Sequence, residues 1–159
     1  MTTIRKVINT PFLPMMLVSD GKNLLKSRFL FKKETGFKIP NKSDDIIVAA
    51  EKQLKEYFKK KRKTFDLPLA MPGTDFQRKV WQALQDIPYG EVSTYKNLAE
   101  EAGSPKAFRA AGGACRANHF MIIVPCHRVL GSNGALTGYS GDKTFIKQYL
   151  LDLEKGLSK

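Results

Sequence analysis

A chain of 159 residues has room for one ordinary domain, or for a small domain beside a helical one. Its 42% apolar content supports a real core and excludes global disorder, and no stretch approaches the roughly 18 consecutive apolar residues of a membrane span. Lysine and arginine outnumber aspartate and glutamate by 27 to 15, and the resulting charge of +12 predicts attraction to a polyanion, either nucleic acid or an acidic membrane surface.

In chain order, the first third reads as strands. Phe12 to Val18 and Leu24 to Phe31 predict two strands joined by a turn at Ser19-Asp20-Gly21-Lys22. Residues 34–42 hold Gly36 and Pro40 and predict a loop or an irregular edge strand. Ser43 then predicts a helix cap, with Ile47, Ala50, Leu54, Tyr57 and Phe58 at helical spacing behind it. The run KKKRK at 59–63 admits three readings: a nuclear address, a phosphate-binding patch, or the solvated end of that helix. The last is favoured, because cations suit a helix C-terminus.

FDLPLAMPG at 65–73, with two prolines and a glycine, reads as the linker between two halves, 1–68 and 69–159. Beyond it, Thr74 or Asp75 caps a helix whose apolar face is Phe76, Val80, Trp81, Leu84 and Ile87, ended by Pro88 and Gly90. Residues 91–118 then predict two helices in quick succession. Ser93 caps the first and Gly103 closes it; Ser104 caps the second, with Pro105 in its first turn. A short glycine-containing joint of this kind marks a helix-turn-helix.

The second of these helices is nearly bare. Ala107, Ala110, Ala111, Gly112, Gly113 and Ala114 are interrupted by Arg109 and Arg116, which fall on one face. Two glycines inside a helix cost roughly 1 kcal/mol each relative to alanine. Close approach of another backbone is the usual compensation, and that backbone belongs either to a neighbouring helix or to DNA. A bare face with one arginine also suits a groove, where a guanidinium can enter the base stack.

Met121 to Val124 reads as a buried strand that delivers Cys126 and His127 at its end, next to Arg128. Neighbours on an extended chain point to opposite sides, so this pair needs a turn or a bridging water to cooperate. On spacing alone, an inert buried Cys126 beside a solvent-bonded His127 is the favoured reading. Only two cysteines and two histidines are present, with no CxxC pair, so neither a disulfide framework nor a zinc site is predicted. The first residues lack the long apolar region and cleavage site of a signal peptide, so the expected location is cytoplasmic, or nuclear in a eukaryote.

The segments FDLPL, GTDFQRKVWQAL, IPYGEVSTYKNLA, SPKAFRAAGGACRAN, IIVPCHRVLGSNGALTGYSG and YLLDLEKG together resemble the O6-alkylguanine-DNA alkyltransferases, the methylated-DNA–protein-cysteine methyltransferases. The likeness is close over residues 50–157 and loose before them. It implies an α/β chain with a small ribonuclease H-like sheet-and-helix domain, then a mainly helical domain with the helix-turn-helix. The implied activity is DNA repair by stoichiometric transfer of an alkyl group from O6-alkylguanine to Cys126.

Further roles follow from the same resemblance. His127, through a water and oriented by Glu154, would draw off the thiol proton. Asn118 would tie the helix pair to the active-site strand. Tyr95 would donate to N3 of the flipped guanine and press on a phosphate. Arg109 would fill the gap left in the duplex, with Ala110, Gly112, Gly113, Arg116 and Arg128 completing the DNA-binding set in the minor groove. The backbone at Val129 and Ser140, with Tyr139 and Met121, would line the substrate pocket. No metal, zinc included, and no organic cofactor is implied, and the expected state is a monomer on double-stranded DNA. Neither Cys nor His precedes Cys115, so the N-terminal zinc site of some relatives has no ligands here. Met121 stands where many relatives carry proline, and Asp142-Lys143-Thr144 lengthens the stretch before the last helix. Two other functions compete: a silent DNA-damage binder or regulator on the same fold, and a cysteine hydrolase acting on a small ester.

Overall fold

The computed structural model describes residues 2–31, 39–131, 133–136 and 144–156. They form two compact units, Met1–Met71 and Pro72–Lys159. No described helix is long and apolar enough to cross a membrane.

The first unit is an antiparallel sheet with a helix. Strands β1 (Ile4–Ile8), β2 (Met15–Ser19) and β3 (Leu24–Phe29) lie in that order, with Ile8 opposite Met15 and Met15 opposite Phe29. β3 falls inside its expected strand and β2 runs one residue past its own, through Ser19; β1 was not expected. Its Lys6 spoils the apolar pattern because it reaches Glu51 on helix α1 (Asp45–Phe58) at 2.7 Å. Irregular segments close both edges of the sheet. Val7 donates to Pro40 and Lys42 to Arg5 on one side, while Leu24 donates to Pro68 and receives from Ala70 on the other. The expected linker is therefore docked on β3 through Ala70, and the division falls after Met71. Each edge strand is thus partly covered by a segment that bonds to it, at Lys6 on one side and at Leu24 on the other.

Helix α1 packs on β2 and β3 through Ile47, Ala50, Leu54, Tyr57 and Phe58, the stripe its spacing predicts. Its cap is Asp44 rather than Ser43. One Asp44 oxygen accepts from Ile47 N at 2.8 Å and the other from Ser19 Oγ at 2.7 Å, which ties the helix to the end of β2.

The second unit begins with α2 (Asp75–Gln85), opened by Thr74 and Gln77 in a reciprocal capping box. Its Trp81 is buried, and Nε1 donates to the carbonyl of Ala114 at 2.8 Å, which satisfies one of the orphan carbonyls at the end of helix α4 (Phe108–Arg116). Thr94, not Ser93, caps α3 (Tyr95–Glu101). That helix ends as expected at Gly103, φ +83°, where Gly103 N bonds Glu100 O and Ser104 N bonds Ala99 O.

Two further expectations fail along this stretch. Ser104 does not cap α4; it and Pro105 belong to a turn, and α4 starts at Phe108 with Ala107 as a cap that offers no side-chain acceptor. The Met121–Val124 strand is absent as well. Those residues coil through turns, with Ile122 buried at φ +73°, and Cys126–Arg128 form a single 3₁₀ turn. Strand β5 (Val129–Leu130) then pairs in parallel with β4 (Ser93–Thr94), and α5 (Thr144–Glu154) packs on the 3₁₀ turn. The short β4–β5 pair brings the start of α3, and hence Tyr95, to the segment that carries Cys126.

Candidate active site

The site is assembled around the 3₁₀ turn. A β-branched residue at positive φ is a true backbone outlier, costing on the order of 1–3 kcal/mol, and it persists only where its surroundings impose it. Asn118 imposes it here. Its Oδ1 accepts from Phe120 N at 2.8 Å, and its Nδ2 reaches Val124 O at 2.9 Å and Phe120 O at 3.3 Å, so one amide brackets the coil on both sides of Ile122. The same nitrogen donates to Cys126 Sγ at 3.4 Å. Asn118 thus sets the backbone under the thiol and also aims a donor at its sulfur.

His127 points away from solvent and is fully buried. Its Nε2 meets Glu154 Oε2 at 2.6 Å, while Nδ1 has no partner among the described residues. Glu154 is the most heavily engaged group of the unit. Arg128 Nε and Nη2 reach its two oxygens at 2.8 and 3.0 Å, and Gly90 N donates to Oε1 at 3.2 Å. Burial alone would raise the Glu154 pKa, but the His127 hydrogen bond and the Arg128 charge outweigh it and hold the carboxyl well below the usual range. An ionised Glu154 accepts from Nε2–H, so the proton is on Nε2 and Nδ1 is left as the basic nitrogen. Burial also pushes the His127 pKa down from 6.5, against the pull of Glu154, which keeps the imidazole neutral at physiological pH.

Arg128 requires a correction. Expected on DNA, it is only 5% exposed, and its third contact is Nη1 to Ile87 O at 2.7 Å, with the guanidinium 5.7 Å from the Tyr89 ring centroid. Every arm of the fork is occupied inside the protein, so none is available for a phosphate or a base.

Lys147 went unrecognised in the sequence. It is 1% exposed, donates to Val129 O at 2.5 Å and lies 5.8 Å from the Tyr95 ring centroid. Burial pushes its pKa down, and charge on Cys126 or Cys115 would push it back up. A positional signal did exist: Lys147, Leu150, Leu151 and Glu154 share the buried stripe of α5, so both charges on that stripe point inward. Cys115 is a different kind of thiol. Burial, aided by repulsion from Cys126, pushes it up to about 12, which makes it an inert packing group.

The face of α4 bears directly on the two compensations proposed for its glycines. A Cβ at Gly112 would stand 3.9 Å from Tyr95 and Arg116, and one at Gly113 3.9 Å from Arg116, which is ordinary contact. Among the described residues no neighbouring backbone demands either glycine, so tight packing between described helices does not account for them. Arg109, Ala110 and Arg116 are exposed. So is Phe108, at 49%, an aromatic on a helix otherwise made of small residues and arginines. Met121 is half-buried and Val129 is buried at the edge of the site. Tyr139 and Ser140 lie outside the described residues.

Comparison with known proteins agrees with this arrangement. Residues 75–156 match the family model described as 6-O-methylguanine DNA methyltransferase, DNA binding domain, and residues 4–71 match the ribonuclease-like domain of the same proteins. The chain belongs to the 6-O-methylguanine DNA methyltransferase family. It is similar to the constitutive methylated-DNA–protein-cysteine methyltransferase of Bacillus subtilis, 54% identical over 77% of this chain and 74% of that one. It is likewise similar to the methylated-DNA–protein-cysteine methyltransferase of Methanosarcina mazei, 47% identical over 94% and 95%. Among solved structures, it superposes on the O6-methylguanine methyltransferase of Mycobacterium tuberculosis with a TM-score of 0.85 at 38% identity, covering 99% and 96% of the two chains. A structure of that protein in complex with DNA superposes with a TM-score of 0.84 at 40% identity, covering 97% and 94%. This methyltransferase is therefore a DNA-binding repair protein that transfers an alkyl group from DNA to one of its own cysteines.

Proposed function

We propose that Cys126 is the acceptor, that the donor is O6-alkylguanine in double-stranded DNA, and that each molecule reacts once. The observation that carries this reading is the buried His127–Glu154 pair. It fixes the histidine tautomer, and with it a basic Nδ1, one residue from a thiol that already receives a hydrogen bond from Asn118. A bridging water takes the thiol proton to Nδ1. The sulfur then attacks the alkyl carbon, the Sγ–C bond forms as the C–O6 bond breaks, and the electron pair goes to the guanine, which leaves neutral after taking a proton. Tyr95 donates to N3 as that charge develops, and the Lys147 ammonium favours negative charge on the sulfur. The product is a thioether with no carbonyl for water to attack, so the cysteine is not regenerated.

The bare surface of α4 enters the minor groove, where Gly112 and Gly113 let the helix backbone approach the sugar-phosphate walls. Arg109 enters the stack as the damaged nucleotide rotates out, with Phe108 beside it as an apolar wedge. Arg116 contacts phosphate. A Cβ at either glycine would meet only side chains, of Tyr95 or Arg116 and no nearer than 3.9 Å, and no neighbouring backbone among the described residues, which supports this reading.

Incubating the protein with a duplex that carries one O6-methylguanine should add one methyl group to Cys126, in proportion to protein and without turnover, as read by mass spectrometry of the intact chain and its peptides. Cys126→Ala should abolish transfer and keep DNA binding. A folded protein that gains no mass, or that processes many lesions per molecule, sinks the proposal.

The pH dependence has a definite sign. Transfer needs neutral His127, so the single-turnover rate should rise with pH through a midpoint below 6.5 and level off at neutrality. Stability should move in the same direction. His127 and Glu154 both have folded pKa values below their ordinary ones, so the unfolded chain binds protons first on acidification. The histidine contribution is complete above 6.5 and is lost as pH falls through its lower folded value; the carboxylate contribution goes at lower pH still. A transfer midpoint above 6.5, or stability that increases on acidification, contradicts the assignment.

A further inference from the structure

The positive charge is not where the helix-turn-helix is. Residues 1–71 carry sixteen Lys and Arg against seven Asp and Glu, an excess of nine; residues 72–159 carry eleven against eight, an excess of three. Within the second unit Arg128, Lys147 and Glu154 are buried as well, which lowers its excess outside the core to two. A protein attracted to DNA through its charge is attracted mainly by the other unit.

We infer that three exposed lysines, Lys52 on the C-terminal half of α1 and Lys59 and Lys61 just past its end, form a second DNA-contact surface that engages backbone phosphates regardless of sequence or damage. The choice of DNA as the partner rests on the repair reading above. These three residues line one groove together with Lys55, Glu51 and Glu56. Both acids are already engaged: Glu51 by Lys6 and Lys55, each at 2.7 Å, and Glu56 by Arg62 at 2.9 Å. The groove therefore presents cations and no uncommitted carboxylate.

The helix dipole does not account for this cluster. A helix C-terminus offers about half a negative charge, whereas residues 59–63 supply five adjacent positive ones that repel each other. The backbone at the same end points in the same direction. Lys60 N bonds Tyr57 O and Lys61 N bonds Glu56 O, the same closing pattern that Gly103 completes after α3. At the equivalent position α1 has Lys60, at φ +62°, where glycine is the unstrained choice. A cation stands there in spite of the backbone, which fits a surface whose charge is used by an external polyanion.

The test compares wild type with a triple Lys52→Gln, Lys59→Gln, Lys61→Gln variant, using a short unmodified duplex over a range of salt. Each phosphate contact contributes about 0.9 to the slope of log K against log salt, so the variant slope should flatten by about 2 to 3. Transfer from a lesion-bearing duplex at sub-saturating protein should slow, while transfer from the free base O6-methylguanine, which has no phosphate, should keep its wild-type rate. Lys→Arg at the same three positions should restore the wild-type slope, which separates charge from folding. An unchanged slope overturns the inference. So does a variant that keeps the slope and loses binding to phosphatidylserine vesicles, since that assigns the lysines to a membrane. A wild-type protein that takes no methyl group from damaged DNA sinks the repair reading instead, so the two failures are distinct.

Discussion

Arg128→Met is expected to destabilise the C-terminal unit by about 3–5 kcal/mol, because it leaves Glu154 as a buried carboxylate without its guanidinium. Chemical denaturation at neutral pH measures this directly as a lower midpoint with little change in slope. The methionine fills much of the arginine stem volume, so the loss reports charge and hydrogen bonding rather than a cavity. Part of the loss should be recovered by acidification, which protonates the stranded carboxylate. The salt dependence of binding to undamaged DNA should stay at its wild-type value, since no arm of Arg128 is free to reach a phosphate. A variant of wild-type stability with a flattened salt slope would return Arg128 to the DNA surface.

Glu154→Gln should slow single-turnover transfer by about 10²–10⁴-fold, the usual span of general acid–base assistance. An amide keeps the shape of the carboxyl but carries no charge, and it can present either an acceptor or a donor to His127. Nε2 is then no longer committed to holding the proton, and Nδ1 loses its assured lone pair. Affinity for the lesion duplex should be nearly unchanged, because Glu154 is buried away from the α4 surface. Rates are compared well below the variant's unfolding midpoint, as Arg128 also loses its anion. Transfer within a few-fold of wild type would mean that His127 needs no orienting carboxylate.

Periodicity carried much of the architecture. The apolar stripe of α1, the Thr74 cap and the Gly103 stop are local signals, and each held to within a residue or two. What local signals missed depends on distant partners. β1 is concealed by Lys6, which is comprehensible only beside Glu51. Residues 121–124 have the composition of a strand, but the Asn118 amide supplies the hydrogen bonds that a sheet would have supplied. α4 starts late because the Ser104 carbonyl closes a separate turn with Ala107 N before the helix begins. Arg128 and Lys147 carry charges that propensity puts on the surface; Glu154 and the Val129 carbonyl hold them inside. Cys126, His127 and Glu154 could be named through family resemblance. Nothing local revealed that Glu154 grips three separate points of the chain.

That grip has a consequence for the order in which the molecule becomes reactive. Glu154 closes contacts with Gly90, 64 positions earlier, with Arg128 at 26 and with His127 at 27. None of these three contacts exists until α5 has docked on the 3₁₀ turn. Until then the imidazole has no carboxylate to fix its tautomer, so the proposed nucleophile stays unarmed. On the proposed mechanism, irreversible transfer is thus withheld from an incompletely folded chain, because the contacts that arm the cysteine are the ones that fasten α5.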